Sequence, residues 1–293
     1  MKTPMRVMVA IPTMTNRITV QIVALLDAMR VTSFDDDAAF GMEFCIEVGR
    51  SPVEFARNIL CGAFLKSDCD KLLFIDEDML PESSVVRLIY SDSDIISARM
   101  YKFDHPNPEK RTTVGLGLCA MRRLETGFYR PLAPEIGDHA VQECDAVGTA
   151  CTVISRRVIE DRRMWSDNVY VTADGNTVDG NEMVSGREFA PNIFQYPRAP
   201  NGMGIMGEDI DFCERAKALG YKISVDMNAV CGHWKSIDID QAGFLAQETL
   251  KRAVAGITLE DGRTIQVDLA SSIKSSKRPP VDKMVHAENA VCK

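Results

Sequence analysis

The sequence contains no apolar run long enough to cross a bilayer. Its N-terminus passes from Met1 and Lys2 straight into a short strand-like run, Val7 to Ile11, which ends at Pro12 without a signal-peptide cleavage pattern. These absences predict a cytoplasmic protein with no membrane insertion. The 9 cysteines are odd in number and scattered, and no two stand as Cys-x-x-Cys. That spacing argues against a disulfide framework or a zinc site and fits free thiols in a reducing compartment. A cationic excess is also missing: the formal net charge is -8, which argues against a general polyanion-binding surface. No internal repeat is present.

What is present is an ordinary globular composition, 45% hydrophobic and 26% charged over 293 residues. This is enough for one large α/β domain with appendages. Val7 to Ile11 reads as a buried parallel strand. A helix capped by Thr15 or Asn16 follows, with Ile18, Ile22, Leu25, Leu26 and Met29 at helical spacing. Met42 to Val48 is a second strand. Ser51-Pro52-Val53-Glu54 has the form of a capping box with proline at the first helical position, leading into an apolar face of Ala56, Ile59, Leu60 and Phe64. Lys71 to Asp76 is a strand, Pro81 to Tyr90 a helix and Ile95 to Met100 another strand. The alternation predicts a mostly parallel, doubly wound, Rossmann-like α/β sheet with helices on both faces. Further on, a strand is expected near Val114 to Met121, and an apolar stretch from Val141 to Ser155 is broken by Gly148. A hairpin turn is expected at Asp174-Gly175, and a helix from Glu208 to Leu219 capped by Gly220. A strand should run from Tyr221 to Asp226, and a hairpin should turn around Asp261-Gly262. The expected division is a domain over 1–250 and a C-terminal hairpin and basic tail over 251–293.

Three constellations carry chemistry. Phe74-Ile75-Asp76-Glu77-Asp78 places three acids directly after an apolar strand, in the crevice where parallel sheets bind ligands. Clustered carboxylates repel unless a positive group joins them, and a divalent cation with hard oxygen ligands is the natural partner. The alternative is a solvated acidic turn. Gly207-Glu208-Asp209-Ile210-Asp211 opens a helix with acids. The helix dipole alone rationalises this, but a glycine-containing loop over 201–207 precedes it and suits a mobile segment beside a catalytic base. Cys231-Gly232-His233-Trp234 offers an imidazole that either packs structurally or completes an oxygen-plus-nitrogen metal site.

In order, these segments resemble GT-A glycosyltransferases of the family 2 type over about residues 5 to 235. Pro12-Thr13 with Asn16-Arg17 resembles the family's first strand and exit loop. Ala56-Arg57-Asn58 resembles its helix segment near the base, and Asp76-Glu77-Asp78 its metal-binding DXD motif. Ala146 to Ala150 resembles the strand lining the acceptor side. Gly207-Glu208-Asp209 resembles the segment carrying the catalytic base, and His233 resembles the late histidine ligand. Where the family ends its second strand in an aspartate pair this chain has Glu47-Val48-Gly49-Arg50, so Glu47 stands in.

The resemblance implies transfer of a sugar from a nucleotide diphosphate, UDP-sugar favoured, to an acceptor hydroxyl with inversion. Mn²⁺ or Mg²⁺ would be held by Asp78 and His233, with Asp76 as a further ligand or a ribose contact. Asp209 is the implied base, with Glu208 as the alternative. Pro12, Thr13, Arg17, Glu47, Arg57, Asn58, Asp76 and Glu77 are the implied donor contacts.

The acceptor is open among a glycan, a protein side chain and a hydroxylated DNA base. The last draws on the basic tail with Lys274, Lys277, Arg278 and Lys283. Two other readings compete. One is a haloacid-dehalogenase-like phosphatase with Asp76 as nucleophile, against which at least two strands precede Asp76 and position 80 is Leu80. The other is a non-catalytic nucleotide-sugar binding module.

Overall fold

A computed structural model describes residues 5–32, 40–49, 51–104, 115–132, 141–166, 170–171, 177–178, 190–197, 206–234, 257–258 and 264–265. The chain separates into two compact units, Met1–Lys235 and Ser236–Lys293. The sequence reading placed its domain end at 250.

The first unit is built on an 8-stranded sheet. Its strands are β1 (Met5–Thr13), β2 (Phe40–Val48), β3 (Lys71–Ile75), β4 (Met79–Pro81), β5 (Ile95–Arg99), β10 (Val141–Glu143), β12 (Cys151–Ser155) and β15 (Ile223–His233). The order is β10-β15-β5-β12-β3-β1-β2, with β4 added to β15. β2, β1 and β3 run parallel, as do β5 and β15, while β12 lies antiparallel between β3 and β5. The carboxyl ends of β1 and β3 therefore reach the same rim as the amino end of β12.

Helices cover both faces, as the alternation predicts. On β1, Val7, Val9 and Ile11 enter one core together with Leu73, Ile75 and the α1 residues Ile22, Leu25 and Met29; α1 spans Val20–Thr32. Met8 and Ala10 enter the opposite core with Leu72 and Phe74. That second core is closed by α2 (Val53–Lys66), α3 (Arg156–Glu160) and α4 (Glu208–Ala218). β3 is buried on both faces, which is why its sequence is a continuous apolar run rather than an alternation.

Several boundaries differ from the sequence reading. α1 starts at Val20, and Thr19 supplies the first cap: Ile22 N–H reaches its Oγ1 at 3.3 Å. Asn16 instead takes a left-handed turn with φ 56°. The capping box does not form. Pro52 itself is the N-cap of α2 with no side-chain cap bond, and the Ser51-Pro52 peptide is cis. Ser83–Tyr90 winds as a 3₁₀ helix rather than an α-helix. The segment near 114–121 forms two strands, β7 (Gly115–Leu118) and β8 (Ala120–Arg123). β7 pairs with β6 (Tyr101–Asp104), and β8 with β9 (Tyr129–Pro131) and β11 (Ala146–Val147).

α4 ends as expected, with Gly220 at φ +87° just past Leu219. β15 begins at Ile223 and runs on to His233 through a register shift between Asp226 and Val230. That irregularity carries its last residues over to β4. β13 (Tyr170–Val171) pairs antiparallel with β14 (Thr177–Val178), and in the second unit β16 (Ile257–Thr258) pairs with β17 (Thr264–Ile265). The turns expected at Asp174-Gly175 and Asp261-Gly262, the loop at 201–204 and the tail at 271–293 lie outside the described residues.

Candidate active site

The two acidic constellations meet on one arginine. α2 presents Arg57 to the interior at 3% exposure. Its Nη2 donates to both carboxylate oxygens of Asp76, at 3.1 and 3.0 Å, and its Nη1 donates to Glu208 Oε1. Asp76 follows β3 directly, and its backbone N–H donates to Ala150 O at 2.8 Å, beside the start of β12. Glu208 is the first residue of α4. A charge this deeply buried persists only when paired. Burial works against the Arg57 cation, and the carboxylates of Asp76, Glu208 and Asp209 outweigh it and raise its pKa further.

Asp209 is held differently. Its Oδ1 accepts from Ile210 N–H at 2.8 Å, and its Oδ2 lies beside Gly148. Burial, then the neighbouring Glu208, push its carboxyl up, against the opposing pull of Arg57 and the backbone donors. Among the described residues no guanidinium donates to it, whereas Arg57 donates to both Asp76 and Glu208. Gly207 makes the conformation possible, because a Cβ there would stand 2.8 Å from Asp209 Oδ1.

Asn58, one residue on from Arg57, organises a third chain segment. Its Oδ1 accepts from Ile193 N–H at 3.0 Å and Phe194 N–H at 2.8 Å. Its Nδ2 donates to Phe194 O at 2.8 Å and Asn192 Oδ1 at 3.4 Å. These four bonds use the whole capacity of a primary amide and leave none for a donor nucleotide. The anchored segment carries Tyr196, whose phenol is pushed up by burial and by Glu208, Asp209 and Glu54.

The acidic turn is divided among partners. Glu77 turns back to the first strand: its Oε2 accepts from Thr13 Oγ1, Thr15 Oγ1 at 2.7 Å and Thr15 N–H at 3.2 Å. Burial opposes ionisation there, but the hydroxyl and backbone donors prevail and hold the carboxyl below its usual range. Asp78 Oδ2 lies 3.0 Å from His233 Nε2, and Asp78 O accepts from Trp234 N–H at 2.8 Å. The pairing of β4 with the end of β15, His233 opposite Met79, brings these two residues together. Among the described residues no group of three or more His, Cys, Asp or Glu side chains is gathered as a complete metal cage. Asp76 faces Arg57, which leaves Asp78 and His233 as the pair a cation would meet.

A pocket of about 190 Å³ opens between these elements, lined among others by Pro12, Thr13, Asp76, Glu77 and Asp78, with Val53 and Ala56 from α2 as its apolar wall. Of the other residues singled out in the sequence, Glu47 sits opposite Pro12 in the β1–β2 ladder and Arg17 is exposed on the loop after β1. Arg57 is a buried bridge rather than a cation open to a diphosphate. The anchoring of 192–194 by Asn58 leaves no signal in the sequence, since it joins positions far apart in the chain.

No protein-family model matches this chain, and no curated protein sequence does. Among solved structures the chain is similar to A197 from STIV, at 18% identity over 79% of this chain and 87% of that one, with a TM-score of 0.44. It is also similar to the inositol-1-phosphate CTP transferase from T. maritima, at 11% identity over 84% and 97% of the two chains, with a TM-score of 0.36. GalNAc-T7 with UDP, GalNAc and Mn²⁺ gives 10% identity over 81% of this chain and 45% of that chain, with a TM-score of 0.40. At such distances the residues of the rim stand on their own. They define an α/β protein with a mostly parallel sheet and a carboxylate-rich cleft at its rim.

Proposed function

We propose that the protein is a metal-dependent, inverting glycosyltransferase that moves a sugar from a nucleotide diphosphate, a UDP-sugar in the first instance, to an acceptor hydroxyl. The observation that carries this reading is the Arg57 bridge. It joins the acidic turn after β3 to the start of α4, 151 positions along the chain from Arg57, and so sets a candidate base beside a candidate diphosphate site. The donor set fits a hard divalent cation. Asp78 and His233 supply one carboxylate and one imidazole 3.0 Å apart, and such ions complete their shell with substrate phosphates and water. Bound there, Mn²⁺ or Mg²⁺ would neutralise charge on the departing diphosphate.

The remaining work belongs to the chain's own residues. Asp209 accepts the proton of the acceptor hydroxyl as its oxygen bonds to the anomeric carbon and the bond from that carbon to the diphosphate oxygen breaks. A carboxyl raised by burial is a better match to this task than an ordinary surface aspartate. Glu208, the alternative base, is engaged by Arg57, which favours Asp209. Asp76, fixed by the same arginine, borders the pocket and offers a ribose or sugar contact. Among the described residues, Arg57 Nε and Thr149 Oγ1 are buried polar atoms with no hydrogen-bond partner, a cost that recurs at sites built for polar ligands. The phosphatase reading loses ground here, because both oxygens of its nucleophile Asp76 accept from Arg57.

The test is turnover of UDP-, GDP-, ADP- and CMP-sugars with Mn²⁺, with the product anomer followed by NMR. Inversion is expected. Asp209→Asn should lower turnover by about 100-fold or more while donor binding persists, which separates an enzyme from a binding module. Retained configuration would remove Asp209 from its role. Release of phosphate from a simple phosphomonoester, with no turnover of any nucleotide sugar, would replace the whole reading.

A further inference from the structure

The outer edge of the sheet carries a surface that the site does not use. β2 pairs with β1 on one side, and among the described residues no strand pairs with its other side. Along β2, Phe40, Met42, Phe44, Ile46 and Val48 point to one face. Phe40 is buried, but Phe44, Ile46 and Val48 are 46%, 40% and 45% exposed. α1 covers part of the same face, since Ile22, Leu25 and Met29 share a core with Phe40, and it exposes Val20 at 73% and Val23 at 51%. A 9-residue edge strand with neighbouring apolar side chains in water is a template for another strand. β2 contains no proline or lysine to blunt it.

A second copy of the chain fits this edge. Two β2 strands related by a two-fold axis normal to the sheet run antiparallel. Full overlap of Phe40–Val48 with itself sets Phe44 of one copy against Phe44 of the other, Met42 against Ile46, and Phe40 against Val48. On the opposite face the same register places Glu47 across from Gly41. Arg6 lies over Gly41, its Cγ 3.1 Å from where a Cβ would stand, and its guanidinium pairs with Glu43 and Asp68. Glu47 of the second copy thus arrives beside Arg6, which already pairs with Glu43 and Asp68, so the apolar row rather than this contact drives the pairing. A slip that pairs Phe44 with Ile46 would instead set Glu43 against Glu47, two like charges directly opposite each other.

We propose that the chain forms a two-fold symmetric dimer by antiparallel pairing of β2 with β2 of a second copy, centred on Phe44, so that two 8-stranded sheets become one. The inference does not rest on the enzymatic reading. Size-exclusion chromatography with light scattering on the full chain tests it against the 32.5 kDa of one copy. A species of twice that mass is expected. Phe44→Lys, which sets two ammonium groups face to face at the axis, should weaken association at least about tenfold, or about 1.4 kcal/mol.

Phe44→Cys should yield, under mild oxidation, a disulfide between the two introduced thiols, because directly opposed Cα atoms lie about 4.5–5.5 Å apart. Ile46→Cys faces Met42 in this register and should give no such link; peptide mapping separates either product from links through native Cys45. A chain that stays at 32.5 kDa at every concentration overturns the proposal. So does a dimer in which Phe44→Cys fails to link, and that outcome decides the matter even if Phe44→Lys does not fold.

Discussion

Arg57 shows how much one side chain decides. It is buried, its partners Asp76 and Glu208 are both partly buried, and replacing it with a neutral residue leaves two carboxylates without their cation. Arg57→Met should therefore cost about 3–5 kcal/mol, read from urea unfolding, and Arg57→Lys should recover part of it by keeping the charge without the fork.

Asp209 predicts the opposite sign. Its folded-state carboxyl is raised, so the proton it keeps favours the folded state, and that contribution is lost as pH climbs from about 3.9, where the unfolded carboxyl ionises, through the raised value. Asp209→Asn should raise Tm at neutral pH. The gain should shrink as pH falls through the raised value and vanish below about pH 3.9, where both states of the native aspartate are protonated. A gain that grew towards acid would show that Asp209 is instead stabilised as the anion. The sequence marked both residues as functional candidates. It did not distinguish the bridging arginine from a phosphate ligand, because the difference lies in which carboxylates the fold brings within hydrogen-bond distance.

At the scale of elements, helices announced themselves by their apolar faces more clearly than by their ends. α2 and α4 lie where the periodicity placed them, and Gly220 stops α4 as a left-handed residue should. The start of α1 was misread because Thr19, which also donates to Met79 O at 2.6 Å, answers to a tertiary neighbour as well as to its own helix, and at α2 the proline rather than the serine takes the N-cap. On the proposed reading, the start of α4 is where local geometry and function would meet. Gly207→Ala would set a methyl 2.8 Å from Asp209 Oδ1, so the carboxylate must move. A displacement of this kind should cost turnover roughly 10- to 100-fold, while the helix loses only about 1 kcal/mol or less. Steady-state kinetics beside thermal melts separate the two effects. Equal losses of activity and folded protein would mean that the glycine serves stability alone.

For the whole molecule, the rim of the sheet gathers groups that belong to different parts of the chain, so a donor bridging them should stabilise the first unit as a body. UDP together with Mn²⁺, at free UDP a hundred times its dissociation constant, should add about 2.7 kcal/mol, roughly 5–10 °C in Tm for a unit of this size. On the proposed reading UDP alone should add less, because Asp78 and His233 would be two of the several ligands a hard cation needs and the phosphates would depend on the metal for their counter-charge. A shift identical with and without metal would remove the cation from the site. Tm measured under the four combinations of nucleotide and metal settles the matter.

By itself the sequence determined the alternation of strands and helices, the two-sided burial of β3, and the placement of acids at the end of a strand and the start of a helix. Apolar periodicity and strand length are local properties, and they reveal which faces must leave water. The tertiary structure decided which carboxylates are bridged by Arg57, which histidine meets which aspartate, and which strand is left at the edge. Those outcomes depend on the sheet order β10-β15-β5-β12-β3-β1-β2, which brings residues from opposite ends of the chain to one rim. A pairwise electrostatic interaction depends on distance through space and has no counterpart in sequence spacing.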